Sequence, residues 1–319
     1  MAILLLGTLP MKKLFSARYT AVVLSSCFLI GACSYVMNSG TSKSEKLMAN
    51  PVEVSITSLD DLNTLFDKYQ YNDENWDKGS REVPRITFEG VGKHWAEGSK
   101  KLPVETKKMI FFRLMTPLAL VSNENILRER EVVKSSPLDA SKLKKIALKY
   151  RVIEEQSDEL NEDKRAALLT RVDVLPPSLA LAQAAEESGW ATSRFTQEGN
   201  AFFGQWDFTG NGMKPRAHRE ELGDYGVARF DSPLASVEAY MLNINSNSSY
   251  QKLRTLRSEL RADDKAVTGI KLAGTLDKYS ERGQEYIDGL RAMIRYNKLE
   301  QFDQAYLSDN KLIHLITEY

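Results

Sequence analysis

Two adjacent carboxylates, Glu186 and Glu187, end an apolar, alanine-rich run and stand directly before Ser188, Gly189 and Trp190. The run that carries them, Leu179-Ala-Leu-Ala-Gln-Ala-Ala185, has little polarity and little bulk, so it predicts a helix that packs close to its neighbours and sits deep. Pro176 and Pro177 suit the first turn, where a missing N–H costs nothing. Gly189 suits the left-handed residue that closes the helix. A carboxylate in the last turn meets the negative end of the helix dipole, which disfavours its ionisation. Burial beside an aromatic ring pushes the same way. A glutamic acid kept protonated near neutral pH is suited to general-acid chemistry, such as handing a proton to a departing sugar oxygen. Neighbouring helix residues point about 100° apart, so one of the pair can face a cleft while the other faces solvent. Periodicity does not choose between them.

The elements that must hold this pair are mostly helical. A short β-prone run beginning at Val52 leads into a helix at 59–69, and a polar wrapping segment with Trp76 and Trp95 follows. Pro103 opens a strongly apolar stretch to Leu127, interrupted by Arg113 and bent by Pro117, which reads as a buried, kinked helix and not as a membrane span. Further helices are expected at 139–150 and 157–172. After the carboxylate helix comes a glycine-rich connection, 208–213. Residues 214–230 have no helical period and are punctuated by Gly223 and Gly226, so they predict a small β hairpin or lobe. Helices resume at Ser232 and continue over 250–260, 263–273 and 282–296. The fold class is therefore mainly α (α+β). An α lobe carrying the acid would face a β lobe across a cleft, a layout for gripping a long polymer.

Composition narrows the chemistry. The 319 residues are 42% hydrophobic and 27% charged, with a formal net charge of zero, so nothing marks a nucleic-acid partner. Both cysteines, Cys27 and Cys33, lie near the N-terminus, and His94, His218 and His314 are far apart, which argues against a metal cluster, a cofactor held by one, or an internal disulfide. Met11-Lys-Lys-Leu reads as a second start, followed by basic Lys12, Lys13 and Arg18, the apolar stretch 21–30, and Ile30-Gly31-Ala32-Cys33. That is the order of an export signal. The expected organisation is a signal at 1–33, a flexible tether at 34–50, a helical wrapping region at 51–170, a catalytic domain at 171–300 and a C-terminal extension at 301–319.

Several of these stretches resemble known sequence motifs. Ile-Gly-Ala-Cys resembles a bacterial lipobox, which implies lipidation at Cys33 and a membrane-anchored protein of the periplasm or cell envelope; an ordinary cleaved signal and an uncleaved signal anchor are the alternatives, and all three export the chain. Ala182-Gln-Ala-Ala-Glu-Glu-Ser-Gly-Trp190 resembles the Ala-Gln-Ala-Ala-Leu-Glu-Ser-Gly-Trp motif of the bacterial glucosaminidase family, glycoside hydrolase family seventy-three. Asn200-Ala-Phe-Phe-Gly204 resembles its Asn-Leu-Phe-Gly element, with one extra residue. The helix from Phe230 to Tyr240, the Asn247-Ser-Ser-Tyr250 element, and the segment Asp277-Lys-Tyr279 to Gln284-Glu-Tyr286 are similar to further elements in the same order. The fit is closest to the Bax-type subgroup.

The resemblance implies a lysozyme-like catalytic domain with a small β lobe, cleaving peptidoglycan glycan strands after N-acetylglucosamine, with no cofactor and no metal. It assigns Glu187 as general acid, because Glu186 occupies a position that is commonly apolar in relatives. It points to Glu220 or Glu221, with Asp224 nearby, as a base activating water from the opposite face; the substrate's own N-acetyl group is the alternative. Tyr279 matches a tyrosine of the family's active site. Phe203, Gln205, Trp206, Trp190 and Tyr250 are expected to line the sugar cleft, where aromatic faces stack on pyranose rings, although Trp206 could equally be core. Where the family has glycine after the motif's tryptophan, this chain has Ala191, which a positive φ would strain. Two other functions fit the same residues: a lytic transglycosylase, and a non-catalytic wall-binding or assembly protein.

Overall fold

A computed structural model of the chain describes residues 43–91, 93–215 and 223–317. The signal, Cys33, Glu220 and Glu221 lie outside the described residues. Within the stretch expected to be a tether, Lys43–Met48 forms a helix, α1. β1 (Val52–Ile56) and α2 (Leu59–Lys68) follow, and Ser58 starts α2 with a capping box: its hydroxyl accepts from the Asp61 N–H while the Asp61 carboxylate accepts from the Ser58 N–H. Next come α3 (Asp73–Asp77), β2 (Glu82–Val83), β3 (Ile86–Phe88) and α4 (Lys93–Gly98). The wrapping region is thus not helical throughout.

α5 (Val104–Ser135) is one 32-residue helix that continues through Pro117. Proline has no N–H to donate to the Arg113 carbonyl one turn back, so the backbone ladder lacks one bond there, and the Thr116 hydroxyl donates to the adjacent Phe112 carbonyl at 2.7 Å. Every residue from Ile110 to Asn123 except Leu114 is buried, so packing holds the helix together across the break. No described helix is long and apolar enough to cross a membrane. α6 (Ser141–Lys149) and α7 (Glu162–Arg171) follow. α7 starts later than the apolar pattern suggested, because Asn161 caps it by accepting from the Lys164 N–H.

The carboxylate helix is α8 (Pro177–Ser188), and α9 (Arg194–Gly199) comes next. The expected β lobe is small: β4 (Trp206–Asp207) pairs antiparallel with β5 (Gly226–Val227), and Met213 bridges Val227. Gly212 and Gly226 pack backbone to backbone. A Cβ on Gly226 would stand 2.6 Å from the Gly212 carbonyl carbon, so neither position admits a side chain. α10 (Pro233–Ser246), α11 (Gln251–Ala262), α12 (Gly269–Ala273) and α13 (Gln284–Tyr296) complete the helices.

The last residues are not a loose extension. A 3-10 turn at Leu299–Gln304 leads to β6 (Tyr306–Leu307) and β7 (Ile313–Thr317). β6 pairs with β2, and β7 lies between β1 and β3, parallel to both. Thr41–Tyr319 form one compact unit, so the boundaries expected at 170 and 300 do not separate bodies. The mainly α architecture with small sheets matches the fold class read from the sequence. α8 packs against α5, α12, α13 and the 3-10 turn, which sets it within the core. Its Leu179 is fully buried, and a leucine buried this way contributes about 1.5–3 kcal/mol.

Candidate active site

Two anchors hold α8. At its start Pro176 offers no side-chain cap, and the cap arrives from far along the chain: Asp303 accepts from the Ser178 N–H at 2.9 Å, from the Ser178 hydroxyl at 2.8 Å and from the Gly269 N–H at 3.2 Å. Burial pushes the Asp303 carboxyl up, and the Ser178 and Gly269 donors pull it back. At its end Gly189 takes the left-handed conformation, as expected, and Trp190 and Ala191 take it too. The Ser188 hydroxyl donates to the Ala184 carbonyl and accepts from the Ala191 N–H, which locks the reversal. Ala191, with φ of 61°, carries the strain the sequence foreshadowed, about 1–2 kcal/mol for a non-glycine residue. Its buried methyl returns about 0.8 kcal/mol of that.

The two glutamates have different surroundings. Glu186 is exposed and forms an ion pair with Arg282 at 2.7 Å. Glu187 is half-buried, and its Oε1 accepts from the Tyr286 hydroxyl at 2.8 Å. Its Oε2 faces Gly204, where a Cβ would come within 3.7 Å. Gly204 has φ of 59°, so a larger residue there would be strained as well as crowding Oε2. Burial pushes the Glu187 carboxyl above the usual range. The Tyr286 bond pulls it down, the Glu186 charge pushes it up, and Arg282 pulls it down.

A cluster of tyrosines backs Glu187. Tyr279 stacks on Tyr286 with centroids 5.5 Å apart and planes 9° apart, and Tyr250 lies 5.9 Å from Tyr279. The Tyr279 hydroxyl donates to the Phe203 carbonyl at 3.3 Å. Behind them the Tyr286 hydroxyl accepts from Gln183 Nε2 at 3.1 Å, and the Tyr240 hydroxyl donates to Gln183 Oε1 at 2.6 Å. Burial holds the Tyr240, Tyr250, Tyr279 and Tyr286 phenols above the ordinary range, so all four are neutral donors near neutral pH.

The expected cleft residues divide. Trp206 is 55% exposed on β4, with Tyr225 edge-on at 5.3 Å, and Phe208 nearby is 77% exposed. The Trp206 and Phe208 rings are exposed aromatic surface of the kind that stacks on sugars. Gln205 is half-buried, and its backbone carbonyl accepts from Ala228 in the β lobe. Phe203 is a correction: at 3% exposure its ring lies flat on Tyr240, 4.0 Å away, and cannot meet a sugar. Trp190 packs edge-on against Phe111 and Phe112, and its carbonyl accepts from Trp95 Nε1; its partners are core rings of α5. Tyr250 is buried too and acts from behind the site. Asp224 pairs with Lys214 on the surface at 3.2 Å.

Sequence reasoning missed Gln183 and Tyr240. A signal existed for the first: Gln183 is the lone amide in an otherwise apolar run, and it sits four residues before Glu187, on the same helix face. Tyr240 carried no local mark. Among the described residues, no group of three or more His, Cys, Asp and Glu side chains could hold a metal ion.

The model of the glucosaminidase family, described as mannosyl-glycoprotein endo-beta-N-acetylglucosaminidase, matches residues 164–299, which span α8, the β lobe and the tyrosine cluster. The chain is 33% identical over 207 residues to "Protein bax" of Escherichia coli (strain K12), an overlap covering 62% of this chain and 73% of that protein. No solved structure matches it. With a relative of that identity aligned over most of its length, and with the family's matched stretch enclosing the carboxylate helix and its tyrosines, the chain belongs to the glucosaminidase family.

Proposed function

We propose that the protein hydrolyses the glycan strands of peptidoglycan after N-acetylglucosamine, with Glu187 as general acid. The observation that carries this reading is the asymmetry of one carboxyl group: Oε1 is tied to Tyr286 and Oε2 is turned toward Gly204 beside the exposed aromatics of the β lobe. Burial keeps that group protonated to higher pH than an ordinary glutamate. Glu187 passes its proton to the bridging oxygen as the bond to C1 breaks, so the leaving sugar departs as a neutral alcohol. The cationic C1 then takes a hydroxide from water. That water gives its proton to a carboxylate of the Glu220–Glu221 pair; alternatively the substrate's own N-acetyl oxygen bonds C1 first, and the water that then displaces it gives its proton back to the Glu187 carboxylate. Glu187 serves either course. Trp206 supplies a ring face for a sugar, and Tyr279 steadies the wall that carries Gly204 through the Phe203 carbonyl.

Mass spectrometry of digested sacculi tests the reaction. A new reducing N-acetylglucosamine end is expected. An anhydro-sugar end would make the protein a transglycosylase, and intact strands would make it a binding protein. The substrate lies outside the cytoplasm, and the export signature at 11–33, with Cys33 as lipid attachment point, would bring the chain there. Cys33→Ser should abolish incorporation of labelled palmitate and release the protein from membranes. Unchanged labelling in that variant would remove the anchor.

A further inference from the structure

A phenol has one proton, so its direction is decided by whatever else the oxygen meets. The Tyr286 oxygen meets Gln183 Nε2 at 3.1 Å. An amide nitrogen only donates, so it occupies the phenol as an acceptor and leaves the Tyr286 proton one destination, Glu187 Oε1 at 2.8 Å. Gln183 keeps this orientation because its own Oε1 receives the Tyr240 proton at 2.6 Å. Gln183 and Tyr240 are both 0% exposed, so water does not compete, and the Tyr240 ring is pinned flat against Phe203. The chain Tyr240 to Gln183 to Tyr286 to Glu187 therefore runs in one direction.

Resting on the general-acid reading of Glu187, we infer that Gln183 and Tyr240 are positioning residues that fix the acidic proton on Oε2 of Glu187. A proton on Oε1 would confront the Tyr286 proton head-on. On Oε2 it faces Gly204, away from the Tyr286 proton. Once Oε2 has given up its proton, the Tyr286 bond becomes charge-assisted and strengthens, so the chain favours the state that follows proton transfer. Tyr240 contributes a second time: its ring carries Phe203, whose neighbour Gly204 lies against Oε2. Both oxygens of the acid are thus referred to one buried residue. The groups facing Glu187 among the described residues are Tyr240 from α10, Tyr250 from the turn after it, Tyr279 from the connection between α12 and α13, Tyr286 from α13, and Glu186 with Arg282. The two charged members pair with each other.

The test compares wild type, Gln183→Met, Tyr240→Phe, the double variant and Glu187→Gln on purified sacculi, with thermal melts to establish folding. Loss of the donor at 183 should lower kcat about five- to tenfold with KM unchanged, and loss of the hydroxyl at 240 should lower it about threefold. A weaker Tyr286 bond stabilises the Glu187 carboxylate less, so the basic limb of the pH profile should move to higher pH in both. The double variant should be no slower than Gln183→Met alone, because the two act through one chain. If Gln183→Met does not fold, the single-hydroxyl deletion at 240 carries the test. Folded variants with wild-type kcat and pH limb, or a double variant whose loss is the product of the two single losses, would overturn the inference while an inactive Glu187→Gln leaves the general acid standing. An active Glu187→Gln would instead remove the general acid, and the inference with it.

Discussion

Glu187→Gln is expected to leave sacculi essentially uncut, with turnover lowered about a thousandfold and the fold intact. The amide fills the same volume and still accepts from Tyr286 through its oxygen, so the packing around 187 is kept and only the transferable proton is lost. Glu186→Gln should change turnover little, because that side chain is exposed and paired with Arg282. The pH dependence has a definite sign. The folded-state pKa of Glu187 is raised, so the acid form is present below that pKa and catalysis falls as pH rises through it. The same raised pKa makes ionisation in the fold less favourable than in the unfolded chain, so wild type loses some stability as pH rises through it. The amide that replaces the carboxyl in the variant does not titrate. The melting temperature of Glu187→Gln relative to wild type should therefore climb from acid to alkaline pH. A variant that still cuts the strands at the wild-type rate would sink the general-acid assignment.

Arg257→Met should cost about 3–5 kcal/mol of stability, read as a lower urea midpoint. Arg257, on α11, is 1% exposed, and burial pushes its guanidinium down to about 10. It donates to the backbone carbonyls of Thr170, Asp173 and Val174 and to Asn245 Oδ1, and it faces the Asp173 carboxylate at 3.5 Å. Those backbone acceptors lie in the last turn of α7 and in the strap that joins it to α8. Removing the guanidinium strands several buried carbonyls at once, and each unsatisfied group costs about 1–3 kcal/mol before relaxation. Arg261 keeps its 2.6 Å ion pair with Asp173, which limits the loss. Since a protein's whole margin is about 5–15 kcal/mol, a change of this size is easily measured. A loss below about 1 kcal/mol, the level of an ordinary substitution, would mean that the strap is held mainly by apolar packing.

The elements that could be read along the chain are those whose causes lie within a few residues of one another. α8 begins at a proline and ends at a left-handed glycine because its own sequence supplies both. α10 begins after Ser232 for the same kind of reason: the hydroxyl accepts from the Ala235 N–H three residues on. Ala191 was legible as a strained position through the resemblance, since the family's motif has glycine there, and its φ of 61° agrees. The mainly α class also follows from short-range order, and the resemblance of motif to family singled out Glu187.

The rest depended on contacts across long separations, which leave no periodicity to read. The cap of α8 is Asp303, 125 residues away, and the partner of Glu187 is Tyr286, 99 residues away. Phe203 looked like a sugar platform from its neighbours, yet Tyr240 covers it, because an aromatic ring gains more from a buried stack than from an exposed face. β7 reads along the chain as part of an appendage, but β1 and β3 close on either side of it and satisfy its backbone. The carboxylate pair at the end of α8 was written in the chain. The buried donors that tie one oxygen of Glu187, and on which its proposed role rests, meet only in the folded molecule.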